Sequence, residues 1–525
     1  MAERGGSCNE PFVMFCLARR GIVAGMRAGG AGPGLRRCAA ALGALALLAP
    51  AGAAQAHTFG RLYTLPVPLW LYVYGTAAAL ILSFLLVGYF VATPGSGTPA
   101  RPRLLRSRIA REIASPRMIT ALRIVSVTGL LLTIATGLFG VRNSYLNFNM
   151  TFFWVVFVLG FAYATSLLSG LYEAINPWRV LIDAAGRLAP GAFAGRIAWR
   201  EAWGDWPALA LYMAFIWIEL FGRTNPLTLS LVLLAYTALN FTGTWAVGAE
   251  RWFRHCEFFG VFLRAVARIA PLEYALPAGG GEGALRVRAP LTGLLDGPAA
   301  SFGLLVFILF MLSSTAFDGI HDTTPWADVY WHGIVPRLLP LLGANLAAVY
   351  PVLQTWYVAW QTLWLLLSPL LYLAAYLAAL SLAKQAARSA LPLRRLALEF
   401  AYSLVPIAFV YNVTHYYTLL ITQGAQIVRL VSDPFGRGWN LFGTAHWLRS
   451  PPIPDMALVW HTQVALILAG HIAAVYVAHV QALRIFPGRR AAVLSQVPVL
   501  LLMVAFTSLG LWILAQPIAG GPPGK

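Results

Sequence analysis

Residues Ser301–His332 read SFGLLVFILFMLSSTAFDGIHDTTPWADVYWH. The first part, SFGLLVFILFML, carries no charge. The part that follows crowds Asp318, Asp322, Asp328, His321 and His332 together, in a chain of 525 residues with only 19 acids and 9 histidines. An uncharged run approaching twenty residues is long enough to cross hydrocarbon as a helix. Polar residues after such a run sit where the chain leaves the membrane.

The same pattern recurs along the whole sequence. Hydrophobic residues make up 59% and charged residues 11%, against roughly 25% charged in a soluble domain. No alternating apolar–polar segments of the membrane-barrel type occur. The chain therefore reads as an all-α, polytopic transmembrane bundle. Ten spans are expected, near 67–92, 119–140, 152–174, 206–222, 226–247, 299–316, 356–382, 399–422, 456–483 and 492–516.

A leader is expected ahead of them. From Met26 to Ala56 the sequence MRAGGAGPGLRRCAAALGALALLAPAGAAQA has a basic start, an apolar centre and a small-residue end, the order of a secretion signal cleaved after Ala56. The residues before it read as the product of an early start codon, with Met1, Met14 and Met26 as the alternatives. Residues 1–56 are thus extension and signal, and 57–525 the membrane domain. Cys8, Cys16 and Cys38 fall in the leader, so Cys256 would be the one cysteine of the mature chain, with no disulfide and no cysteine metal site.

The net charge of +19 does not point to nucleic acid, because no Lys/Arg-rich segment is interleaved with aromatics. The basic residues lie in connections instead. With His57 outside, the five connections on the inner side hold 23 basic residues and the outer ones six, as the positive-inside rule requires. Basic inner loops fall near 93–118, 175–205 and 248–298, and outer loops near 317–355 and 423–455. The Gly-rich ALPAGGGEGALRVRAP within 248–298 lacks the Lys-Ser/Thr of a phosphate loop and reads as a flexible connection. The expected location is a bacterial inner membrane, with the functional face periplasmic.

On that face the scarce ionisable groups gather. Asp318, His321 and Asp322 follow the sixth span, Asp433 and His446 lie in the last outer loop, and His415, His461 and Glu219 fall in outer halves of spans. His471 lies mid-span and His479 further in. An ionisable residue inside a span is costly and marks a candidate site. Imidazole and carboxylate together suit a divalent metal, which would supply hydroxide from bound water. On this reading His415, His471, His321 and Asp322 are the metal ligands, and Asp433 and Asp318 the groups that orient water or take its proton. His461, His479, Glu219 and His57 are secondary candidates, His57 as a copper chelate with its own amine. Plainer roles stand beside these: Asp433 in SDPFG as an Asx-turn, Asp322 as a loop cap, and Trp326, Tyr330 and Trp331 as an interfacial belt rather than aromatic contacts to substrate. HExxH and GxSxG are absent.

Several segments, taken in order, resemble bacterial polytopic membrane proteins known as fenitrothion hydrolases: LPVPLWLYV from Leu65, NPWR from Asn176, WIEL ending in Glu219 and Leu220, STAFD from Ser314, THYYTLL around His415, SDPFGRGWNLFGT from Ser432, and GHIAAVYVAH from Gly470. The resemblance spans residue 57 to the C-terminus. It implies hydrolysis of an organophosphorus triester at the bond to its aryl leaving group, an apolar small-molecule substrate that partitions into the bilayer. Asp318, His415, Asp433, His471 and His479 lie in the shared segments. Two other classes remain open: a transporter or metal-handling protein using the same His and Asp residues, and a haem or copper redox protein with His415 and His471 as axial ligands.

Overall fold

The computed structural model describes residues 68–91, 102–275, 283–342, 346–448 and 454–516; the leader and His57 lie outside them. Eleven helices carry the architecture: α1 Leu69–Phe90, α2 Pro116–Phe139, α3 Phe148–Thr165, α4 Trp206–Phe221, α5 Pro226–Val247, α6 Phe258–Ala267, α7 Phe302–His321, α8 Leu346–Ala386, α9 Val405–Thr422, α10 Met456–Ile485 and α11 Arg489–Leu514. Among the described residues nine helical stretches are long and apolar enough to cross a membrane. The fourth expected span, α4, has 16 residues and is about 24 Å long at 1.5 Å per residue. The protein is a multi-pass helical membrane protein.

Local sequence explains where helices start. Ser301 caps α7, its Oγ accepting from Leu304 N at 3.0 Å. Asn225 caps α5 in a capping box with Thr228, and Pro226 takes the first helical position, where a missing N–H costs nothing. Asp455 caps α10 through Ala457 N at 2.9 Å. α7 is buried on nearly every side, the signature of a central helix. Close helix contacts need small residues. A Cβ on Gly470 would lie 2.2 Å from Val410 Cγ2, and one on Gly510 would lie 2.0 Å from the Tyr411 hydroxyl. Those two glycines let α9 seat against α10 and α11.

The arginine-rich connections share one end of the bundle, called here the basic end. The segment 248–298, expected as a connection, is more structured than its composition suggested. Its apolar stretch folds as α6 and buries Phe258, Phe259, Val261 and Leu263 in the core. Glu257 caps α6 and is wholly buried. It accepts from Gly260 N (2.8 Å), the Tyr236 hydroxyl (2.8 Å), Asn176 Nδ2 (3.2 Å) and the Tyr172 hydroxyl (3.3 Å). The Gly-rich stretch joins two strands of a small sheet. β1 (Arg103–Leu104), β2 (Leu168–Ser169), β3 (Leu272–Ala275) and β4 (Ala284–Val287) lie in the order β1-β4-β3-β2, with β3 and β4 antiparallel. Residues 276–282 between them lie outside the description. Asp205 ties this end together, accepting from His255 Nδ1 at 2.9 Å and from Ser301 Oγ at 2.5 Å.

Cys256 is the one cysteine among the described residues, and it is buried. Burial, with the Asp205 carboxylate adding to it, pushes its thiol up to about 12. The thiolate is the reactive form. Maleimide should therefore leave Cys256 unlabelled in the folded protein in detergent and label it after denaturation; rapid labelling of the native protein would contradict this packing.

At the opposite end, residues expected as an outer loop are helical. α8 has 41 residues, about 61 Å, twice the roughly 30 Å of hydrocarbon. Its extension packs against residues 324–342. Trp326 meets Trp360 with ring centroids 4.7 Å apart, and Trp331 stacks on Tyr350 at 5.5 Å. The buried Tyr330 donates its hydroxyl to Leu353 O at 2.8 Å.

Candidate active site

α7 continues one turn past the expected end of its span, so Asp318 and His321 are helical and buried rather than on a loop. Three helices distant in sequence meet there. From α9 comes His415, whose Nε2 lies 2.8 Å from Asp318 Oδ2. The next residue, Tyr416, places its hydroxyl 2.5 Å from the same oxygen and 3.2 Å from Glu219 Oε1 of α4. The result is a chain of contacts, Glu219–Tyr416–Asp318–His415. A phenol carries a single proton. Both of its contacts to carboxyl oxygens become hydrogen bonds only when one of the two carboxyl groups supplies a proton of its own.

Glu219, Tyr416 and Asp318 line a cavity of about 40 Å³, room for about two or three water molecules. His415 stands behind Asp318, away from the cavity wall, with its side chain 24% exposed. Asn412, one turn before Tyr416, also lines the cavity, and its Oδ1 is buried without a hydrogen-bond partner. Aromatic rings make up much of the remaining wall. Phe258, Phe259 and Phe262 come from α6, Tyr212 and Phe215 from α4, and Phe157 from the π-helical part of α3, Thr151–Phe161. π-helical turns concentrate at functional sites.

The other expected site residues are absent from the cavity wall. His321 donates through Nδ1 to Asp318 O at 2.8 Å, with the same nitrogen 3.8 Å from Asp318 Oδ1; it faces Asp322 Oδ1 through Nε2 (3.4 Å) and stacks on Phe317. Asp433 takes its turn role: its carboxylate accepts from Arg437 N at 2.9 Å and Gly438 N at 2.8 Å. The same loop pairs with the α2–α3 connection through Phe435 O and Pro434 O, so Asp433 organises a surface loop instead of the cavity. His471 faces a different cavity. His479 is buried between Gln496 Nε2 (2.9 Å) and Val91 O (3.1 Å). His461 sits 3.5 Å from the Tyr72 hydroxyl on an exposed surface. Trp326, Tyr330 and Trp331 pack on α8 and are absent from the cavity wall.

The expected divalent-metal set, His415, His471, His321 and Asp322, is therefore not gathered. Among the described residues no three His, Cys, Asp or Glu side chains are placed to hold a metal. The ionisable groups that do meet are joined to one another by hydrogen bonds, an arrangement suited to moving protons.

Tyr416, Asn412 and the α6 aromatics were not singled out from the sequence. For α9 the signal was available: Asn412, His415 and Tyr416 are spaced i, i+3, i+4, which places them on one side of a helix. No family model, no curated protein and no solved structure matches the chain.

Proposed function

We propose that the chain is a membrane-bound hydrolase of apolar esters, with organophosphorus triesters bearing an aryl leaving group as the substrate class. One observation carries the reading: two carboxyl groups, Asp318 and Glu219, bridged by Tyr416 on the wall of an otherwise apolar, aromatic cavity. Paired carboxyls joined through a phenol can take one proton and give another, the requirement of general acid–base catalysis. Asp318, held by Tyr416 and His415, removes a proton from water as its oxygen attacks phosphorus. Glu219 supplies a proton to the departing aryl oxygen. The bond from phosphorus to the new oxygen forms, the bond from phosphorus to the aryl oxygen breaks, and the phenol and the dialkyl acid leave. Each of these steps uses side chains of this chain and water.

The organophosphorus assignment rests on the resemblance of the segments around Glu219, Asp318 and His415. The charge asymmetry supports an extracytoplasmic site in a bacterial inner membrane. An apolar triester concentrates in the bilayer beside such a cavity, and its aromatic walls would meet the aryl ring, which must turn side chains aside in a space this small. The test is nitrophenol release from fenitrothion by the purified protein in detergent, with and without a chelator. Release that survives chelation is expected; no release above the uncatalysed rate contradicts the reading. Asp433→Asn, which disturbs a loop turn, should keep the rate within about threefold of wild type, since it lacks the 10²–10⁴-fold effect of an acid–base group.

A second reading is favoured by the size of the cavity and by the polar groups continuing along α10. A proton-linked transporter would use the same Glu219–His415 chain to load and release protons. Proton flux in vesicles that is lost in Glu219→Gln, without any nitrophenol release, would select it.

A further inference from the structure

His471 plays no part in the site above. It lies mid-way along α10, about 21 Å from Ile485 at 1.5 Å per residue, and is 0% exposed. Its Nδ1 is 2.8 Å from Ile467 O. A carbonyl can only accept, so Nδ1 carries the hydrogen and Nε2 presents a lone pair. That Nε2 is buried without a hydrogen-bond partner, and His471 lines a cavity of about 30 Å³. The two other polar side chains on the wall are engaged elsewhere: Ser403 donates to Phe400 O at 2.6 Å, and Tyr376 donates to Ala397 O at 3.0 Å.

A smaller cavity of about 10 Å³ adjoins it and shares Leu380, Phe400, Ala478 and Val499. It reaches Ser495, Gln496 and Phe486, and Phe486 is the residue that follows α10 at the basic end. Gln496 Nε2 continues the polar line to His479 Nδ1 at 2.9 Å.

We infer that His471 Nε2 holds a water molecule at the head of a hydrated file running from the basic end to the middle of the bundle. A buried acceptor in a cavity large enough for water takes one where a second polar atom is at hand, and the hydroxyl oxygens of Ser403 and Tyr376, whose protons are engaged, keep lone pairs that can accept from it. Half-paths of this kind bring water or protons to the interior of membrane proteins. The inference is independent of the hydrolase reading.

X-ray radiolysis of the wild-type protein in detergent tests it, because hydroxyl radicals formed from a bound water oxidise the nearest thioether to its sulfoxide. Met503 lines the His471 cavity, whereas Met311, equally buried, does not. Met503 is expected to oxidise at least about tenfold faster than Met311, and, after rapid mixing with ¹⁸O-water, to carry the heavy isotope. His471→Phe, which replaces the acceptor with an apolar ring, should bring Met503 down to the rate of Met311. Correct folding of the variant is checked by Cys256 remaining unlabelled. Equal rates for the two methionines in the wild type would show a dry cavity and overturn the inference. Fast oxidation that persists in His471→Phe would remove His471 from it, and sulfoxide without ¹⁸O would rule out a file open to bulk water.

Discussion

Asp318→Asn should lower nitrophenol release about 10²–10⁴-fold, the range of a lost acid–base group, while the protein still inserts and runs as a single species in detergent. The amide keeps the size of the carboxylate and can still accept from Tyr416. It cannot take a proton from water, and its one carbonyl oxygen has to replace Oδ2, the oxygen that His415 and Tyr416 both reach at 2.8 and 2.5 Å. Glu219→Gln should cost less, because a nitrophenolate leaves readily without full protonation, and Tyr416→Phe should fall between the two. His415→Ala acts only by releasing Asp318 from its position. Its effect should appear as a change in the pH profile as well as in rate, since the group that faces the cavity is unchanged. An Asp318→Asn variant with rates close to wild type would remove Asp318 as the base.

The second large effect concerns stability. Glu257→Ala strips the acceptor from two phenols, an amide and a backbone N–H, all inside the bundle. Buried donors left without partners cost about 1–3 kcal/mol each, softened where a phenol can turn to another acceptor. A net loss of about 3–5 kcal/mol is expected, read as a melting temperature roughly 10 °C lower in detergent. Glu257→Gln, which keeps one acceptor oxygen, should lie between it and wild type. Loss of Glu257 would also free the start of α6, whose Phe258 and Phe259 rings meet Phe215 and Tyr236 in tilted and edge-on contacts beside the cavity. Activity should therefore fall along with stability. A Glu257→Ala protein that melts within about 2 °C of wild type would show that α6 is held by its aromatics alone.

The spans were legible because hydrocarbon imposes a length and a composition that a single sequence displays directly. α4 fell short of that length, and α6 was hidden by it: a ten-residue helix interrupted by Arg264, between Arg254 and Arg268, reads as a connection when the only template is a full crossing. Glu257 went unnoticed for the same reason, since a carboxylate beside arginines looks solvated until its neighbours are known. Within the site, Asp318, His415 and Glu219 were identifiable by the rarity of charge in apolar runs. Their meeting was not, because it depends on how α4, α7 and α9 turn about their axes. Asp433 and His471 show the limit from the other side. Both are unusual residues in resembling segments, yet one closes a loop turn and the other faces a separate cavity. Of the loop aromatics, Trp326 found its partners Trp360 and Trp364 inside the expected span, while Tyr330 and Trp331 also reach Leu353 and Tyr350 on an extension of α8 that no span-length argument foresees.

Residues that act as a unit give effects that do not add. The most direct measurement is therefore a double-mutant cycle on nitrophenol release, using Asp318→Asn, Tyr416→Phe and the double variant. If the carboxyls and the phenol form one proton-handling assembly, the double variant should be scarcely slower than Asp318→Asn alone. Rate losses that multiply independently, or single variants that release nitrophenol as fast as wild type, would contradict it.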